Sequence, residues 1–156
     1  MIWIKIREIR EEDLEIVHKI ERNSFRYPYP YSYLHFLFTL SRKLFLVAEI
    51  YPLQKIVGYI VGVIQYKNVG HIYSIAVDER YRGRGIGKKL IKKLLEKFIE
   101  KKCKTIRLEV RPSNIAAQNL YDKIGFRKNY LVKKYYPDGE DCCTEILEID
   151  EEDECD

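Results

Sequence analysis

Arg82-Gly83-Arg84-Gly85-Ile86-Gly87-Lys88 sets glycines on alternate positions among cations, and the chemistry open to such a turn is the grip of a phosphate. The first N–H groups of a helix have no internal partner, and the helix dipole is positive there. Glycine tolerates positive φ and lets an anion come close to the backbone. A pyrophosphate is the natural guest of a turn that leads into a helix. Two rival phosphate motifs fail on spacing. The Walker A pattern needs four residues between its glycines and then Lys-Ser/Thr, whereas Gly83 and Gly87 enclose three and Lys89 follows Lys88. The dinucleotide fingerprint G-x-G-x-x-G is replaced here by G-x-G-x-G. The cysteines, Cys103, Cys142, Cys143 and Cys155, form no C-x-x-C pair. They predict no zinc site, no disulfide framework and no activated nucleophile, and no metal is expected.

A turn of this kind must be held between a strand and a helix, and both are visible. Residues 71–77 read as a strand. Residues 85–102 read as a helix, with Ile86, Leu90, Ile91, Leu94, Leu95, Phe98 and Ile99 on one face and six lysines on the other. Upstream, Ile2, Ile4 and Ile6 alternate with Trp3, Lys5 and Arg7 as a first strand. A helix over 11–23 and another over 32–40 are separated by Phe25–Tyr31, whose Pro28 and Pro30 forbid regular helix. Strands follow at 43–50 and 56–66. Downstream come a strand at 104–111, a helix at 115–123 capped by Asn114 or Ser113, and strands at 125–136 and 142–149 around the turn Pro137-Asp138-Gly139. This order predicts an α/β (α+β) fold, a mixed sheet with helices on its faces.

The chain has 156 residues, 46% hydrophobic and 33% charged, room for one core in a soluble globular balance. No run of about 18 apolar residues is present, so no membrane span is expected. Met1–Arg10 lacks the apolar stretch of a secretory signal, and the expected location is the cytoplasm. The stretch Asp150–Asp156 holds six acids. Taking those six from the 24 acidic residues leaves 18 against 28 Lys and Arg, a body of net charge +10. Such a body suits a polyanion: a nucleotide, a coenzyme A phosphate or ribosomal RNA. The acidic stretch reads as a disordered end.

Arg82-Gly83-Arg84-Gly85-Ile86-Gly87 resembles the R/Q-x-x-G-x-G/A signature of the GCN5-related N-acetyltransferases (GNAT), preceded by Ser74-Ile75-Ala76-Val77-Asp78-Glu79-Arg80-Tyr81 as the strand that feeds it. Leu108–Asn114 and Ala116–Phe126 resemble the family's second conserved block. Lys134-Tyr135-Tyr136-Pro137-Asp138-Gly139-Glu140-Asp141 looks like the C-terminal hairpin of the ribosomal-protein-type and archaeal protein N-terminal acetyltransferases. The resemblance spans residues 1–149, leaving 150–156 as an acidic tail. It implies a single-domain fold whose sheet splays at a bulge in strand 71–77, and acetyl-CoA as co-substrate with no metal. It places the pantetheine arm on the backbone of Ile75, Ala76 and Val77, the pyrophosphate on Arg82 to Lys88, and Asn114 on the cofactor beyond the pyrophosphate. Ribosome association is compatible with it; no membrane and no specific DNA partner are expected.

The same resemblance assigns chemistry. An α-amine titrates near pH 7.7–8.0, against about 10.4 for lysine, and needs only mild help from a base. Glu109 is the candidate base, acting through a water, with His71 sharing the proton path. Tyr121, in Asn-Leu-Tyr, is the candidate acid for the departing thiolate and also touches the cofactor. The Val77 N–H is the candidate oxyanion donor. Two aromatic segments are expected to flank an acceptor peptide: Tyr27, Tyr29 and Tyr31 in the first interhelix loop, and Tyr135 and Tyr136 before the hairpin turn. Where one archaeal subgroup carries an acidic residue in Pro-Glu-Asn-Tyr, this chain has Tyr27-Pro28-Tyr29-Pro30, without that carboxylate. The resulting expectation is acetylation of protein N-termini in a ternary complex. The alternatives are a lysine or small-amine N-acetyltransferase and a non-catalytic module binding acetyl-CoA or RNA through its lysine-rich helix.

Overall fold

The computed structural model describes residues 2–150; of the acidic stretch Asp150–Asp156, read above as a disordered end, residues 151–156, Cys155 among them, lie outside the described residues. Seven strands form one mixed, open sheet in the order β1-β2-β3-β4-β5-β7-β6. They are β1 (Trp3–Glu8), β2 (Phe45–Tyr51), β3 (Lys55–Gln65), β4 (Val69–Val77), β5 (Thr105–Val110), β6 (Arg127–Val132) and β7 (Cys142–Glu148). Four helices accompany them: α1 (Leu14–Ser24), α2 (Tyr31–Ser41), α3 (Ile86–Glu100) and α4 (Ile115–Ile124). The one parallel pair described, β4 with β5, is joined through α3, as a parallel connection requires. The α/β class and mixed sheet follow the sequence reading. No helix among the described residues is long and apolar enough to cross a membrane.

Contacts divide the chain into two units, and β3 and β4 contribute to both. The first takes the chain up to Val63 together with Ser74–Lys97. Its core is the apolar face of α1 and α2 (Leu14, Val17, Leu34, Leu37), the centre of β2 and β3, and Ile86, Leu90, Ile91 and Leu94 of α3, all buried. Arg7 on β1 is held between Asp13, at 2.8 Å, and Glu49 on β2, at 3.1 Å. Asp13 also accepts the Arg10 N–H at 2.8 Å, so one carboxylate ties the strand to the turn that starts α1.

The second unit takes Ile64–Tyr73 and the chain from Phe98 onward. β5 alternates, with Ile106, Leu108 and Val110 buried and Thr105, Arg107 and Glu109 half-buried. Arg107 and Glu109 therefore share one face. β5 pairs antiparallel with β7 over its whole length, but parallel with β4 only through Val69–Thr105, Gly70–Ile106 and His71–Arg107. Asn114 caps α4 as expected, its Oδ1 accepting the Ala117 N–H at 3.1 Å.

Two strands, β6 and β4, have bounds that differ from the sequence reading for reasons the backbone shows. Strand β6 is shorter than the expected 125–136. Gly125 sits at φ +119° and its N–H reaches back to the carbonyls of Tyr121 and Asp122, a left-handed helix stop that delays the strand. At the other end Lys134 adopts φ +53°, which takes residues 133–141 into a turn. Strand β4 begins at Val69, because Lys67 and Asn68 both lie at positive φ and make a tight hairpin after β3.

Candidate active site

The glycine turn belongs to the first unit. After Val77 the chain makes a short 3-10 turn, Glu79–Tyr81, capped by Asp78, whose carboxylate accepts the Arg80 N–H at 3.0 Å. Gly83 (φ +78°) and Gly85 (φ +80°) then reverse the backbone, and a Cβ at either would meet no atom within 4 Å. The need for glycine is thus conformational, not steric. The first i→i−4 bond of α3 runs from the Lys89 N–H to the Gly85 carbonyl at 3.1 Å. The N–H groups of Ile86, Gly87 and Lys88 lie ahead of it, in the turn where helical amides have no helical acceptor. Ile86 is buried and anchors the helix start, whereas Arg82, Gly83, Arg84, Gly85 and Lys88 are exposed.

The cations of this turn divide their labour. Arg82 donates to the Val77 carbonyl at 2.9 Å and to Ser24 Oγ at 3.2 Å, bracing the turn against the end of β4. Arg84 lies over the Tyr81 ring at 5.2 Å. Along β4, Ala76 and Ser74 are buried, while Ile75 and Val77 are half-buried on the opposite face.

The second unit holds the titratable cluster. His71 Nε2 lies 2.6 Å from Glu109 Oε2. This brings together two of the three residues expected to move protons. The other ring nitrogen, Nδ1, faces Gln65 Nε2 at 3.1 Å and Arg107 Nη2 at 3.4 Å. Arg107 Nε also donates to Gln65 Oε1 at 3.2 Å, and the Tyr73 ring packs edge-on against His71, centroids 4.5 Å apart. Sequence reasoning missed Gln65 and Arg107. The signal was available for Arg107: it stands two residues before Glu109 on one strand and so shares its face.

Tyr121, the expected acid, is 6% exposed and packs against Phe126 at 5.7 Å. Burial, with the charge of Glu145 behind it, pushes its phenol well above the ordinary tyrosine value, so at neutral pH it carries a proton. Tyr135 and Tyr136 meet edge-to-face at 5.0 Å. Burial first, then the charge of Glu109, pushes the Tyr135 phenol up. A clasp holds this segment: Arg111 stacks over the Tyr136 ring at 3.9 Å and reaches Asp138 and Glu140 at 2.9 Å each. Glu140 in turn accepts from the Ser113 N–H and hydroxyl at 3.0 Å. Asn114 stands beside this clasp, with its carbonyl oxygen spent on the helix cap.

The first interhelix loop is likewise anchored, in the first unit. Glu21, 2% exposed, accepts from the Tyr59 hydroxyl, from Ser74 Oγ at 2.9 Å and from the Tyr29 N–H at 3.2 Å. Tyr29 packs on Tyr33 at 4.8 Å, Tyr31 meets His18 at 5.8 Å, and Arg26 lies over the Tyr27 ring at 5.6 Å. This anchor too was missed in the sequence, because Glu21 reads as an ordinary helical charge.

Similarity to known proteins extends over most of the chain. Residues 3–126 match the Acetyltransferase (GNAT) family model. The chain is 42% identical over 142 residues to an uncharacterised N-acetyltransferase of Methanocaldococcus jannaschii, covering 90% of this chain and 89% of that one. It is 36% identical over 149 residues to an N-alpha-acetyltransferase of Sulfurisphaera tokodaii, with 88% of each chain covered. Among solved structures it resembles Ard1 from Thermoplasma volcanium, with TM-score 0.89 and 31% identity over 95% of this chain and 99% of that chain. It also resembles a chain of the NatC complex bound to Gag peptide and CoA, with TM-score 0.88 and 27% identity over 94% and 99%. This chain belongs to the GNAT family of acetyltransferases.

Proposed function

We propose that this enzyme transfers acetyl from acetyl-CoA to the α-amine of protein N-termini by direct attack. The observation that carries the chemistry is the 2.6 Å contact between His71 and Glu109, with the buried, protonated Tyr121 as its complement. The acceptor class is supported by the likeness, over nearly the whole chain, to an N-alpha-acetyltransferase. The donor is supported by the glycine turn of Gly83 to Lys88 and by the CoA-bound relative.

In the reaction the neutral amine attacks the thioester carbonyl and a C–N bond forms. Glu109 takes the proton that the nitrogen must lose, through one water. The C–S bond breaks, and the departing thiolate takes the phenolic proton of Tyr121, which Glu109 restores through solvent. The amides of Ile86, Gly87 and Lys88 take the pyrophosphate, the backbone of Ile75 to Val77 takes the pantetheine arm, and the Val77 N–H takes the oxyanion. The aromatic loop of Tyr27, Tyr29 and Tyr31 and the clasped pair Tyr135–Tyr136 are the acceptor contacts. Short peptides with free N-termini, incubated with acetyl-CoA, are expected to gain about 42 Da on the α-amine. If only N-terminally blocked, lysine-bearing peptides react, the acceptor reading is wrong.

A further inference from the structure

We infer that Arg107 and Gln65 are positioning residues that lock His71 in the tautomer protonated on Nε2, so that the ring donates a hydrogen bond to Glu109 and carries no proton of the reaction. The inference rests on the reading of Glu109 as the base and assigns its neighbours distinct tasks.

The argument is an accounting of donors. A guanidinium has donors only. Its Nε donates to Gln65 Oε1 at 3.2 Å, which leaves the amide nitrogen of Gln65 to face the ring, 3.1 Å from Nδ1. The same nitrogen reaches the Tyr73 hydroxyl at 3.4 Å. Arg107 Nη2 approaches Nδ1 as well, at 3.4 Å. Two donors on one ring nitrogen require its lone pair, so Nδ1 is an acceptor. The ring proton is then on Nε2, directed at Glu109 Oε2 at 2.6 Å, slightly shorter than the about 2.7–2.9 Å of charge-assisted N–H···O bonds. The bond made by one imidazole nitrogen sets the state of the other.

A proton leaving the amine therefore finds no open lone pair on His71. Glu109 receives it, and the ring keeps the carboxylate oriented. The charged and titratable groups around the ring are Arg107 and Glu109 from β5 and Tyr73 from β4. Tyr135 and Cys142 lie near Glu109, their groups pushed up by burial and in part by its charge. None of these supplies an acceptor to Nδ1.

Nitrogen-15 NMR of the full chain reads the tautomer directly and needs no substrate. The chain has three histidines, and loss of one signal set in H71Q assigns His71. The expected signature is a protonated Nε2 with a bare Nδ1, giving way to mixed tautomers in R107M; a proton on Nδ1 in the native chain overturns the inference. Kinetics supply a second readout. Gln carries an N–H near the place of Nε2 but cannot act as a base. H71Q should recover roughly tenfold of the kcat that H71A loses, with the acid limb of kcat/KM where it stands in the native enzyme. A limb that vanishes in H71Q makes His71 the base and sinks the lock. R107M should lower kcat about tenfold with KM for acetyl-CoA unmoved; unaltered kcat and tautomer would refute Arg107's part. Full turnover in E109Q would instead remove the base reading itself, leaving the NMR result to stand on its own.

Discussion

Replacing Glu145 should stabilise the protein, and only where the carboxylate is ionised. Glu145 lies on β7, opposite Leu108 and Lys128, beneath a cleft lined by Gln118, Asn119, Asp122 and Phe126. It is 2% exposed, and among the described residues its Oε2 has no hydrogen-bond partner. Burial pushes its carboxyl up from the ordinary value; Asp122 adds to the shift and Lys128 opposes it. The sign follows. Below the unfolded value, near 4.5, both states hold the proton and no charge penalty exists. As pH rises above that value the unfolded chain releases its proton before the folded one does, so stability falls until the folded group has also ionised. Leaving a buried acceptor unpaired costs about 1–3 kcal/mol. Taking about 2 kcal/mol, and about 2–4 °C per kcal/mol for a chain of this size, E145M should raise Tm by about 4–8 °C at pH 7.5 and hardly at all at pH 3.5. E145Q, which removes charge but keeps a polar head, should give part of the gain with the same pH dependence. Thermal unfolding followed by circular dichroism, with native and variant chains compared at each pH, measures this. A gain equal at both pH values, or a loss at pH 7.5, would refute the reasoning.

Other consequences are more local. E21Q puts an amide where the Tyr59 hydroxyl, Ser74 and the Tyr29 N–H all donate; it should cost about 2–3 kcal/mol in chemical denaturation and raise KM for the peptide more than for acetyl-CoA. G85V forces a branched side chain to φ +80° without any clash; KM for acetyl-CoA should rise by about tenfold or more while KM for the peptide holds. E109Q should lower kcat by about a hundredfold or more with both KM values little changed, measured by thiol release.

Much of this was legible in the sequence because local physics sets it. The apolar stripe of α3 is buried from Ile86 to Phe98 as its spacing requires, Asn114 caps α4, and alternation alone puts Arg107 and Glu109 on one face of β5. The glycine turn was legible for the same reason, since positive φ at Gly83 and Gly85 is a demand of the backbone. What escaped were contacts across strands. Gln65 and Arg107 reach His71 from elements separated by 6 and 36 positions, and no periodicity within one segment reports a partner on another. The clasp of Arg111 with Asp138 and Glu140 spans 27 and 29 positions and was hidden likewise; only the turn residues Pro137-Asp138-Gly139 announced its place.

Three glutamates make the physical reason plain. Glu21 and Glu145 are equally buried, at 2% exposure, and by composition or burial alone they are the same residue. Glu21 collects two hydroxyls and a backbone N–H, so its charge is satisfied and it can brace a loop. Glu145 Oε2 collects none, so its charge is a cost. Glu109, with its side chain 22% exposed, has one oxygen held by His71 while Arg107 stands 4.0 Å from the other. It is fixed without being saturated, which is what a carboxylate needs if it is to take a proton from an amine and give it up again. On the proposed reading of Glu109 as the base, the number of donors on a carboxylate, more than its depth, separates an anchor from a base and a base from a burden. Arg107 apart, those donors come from other elements of the fold, which is why a chain rich in glutamate leaves all three looking alike until it is folded.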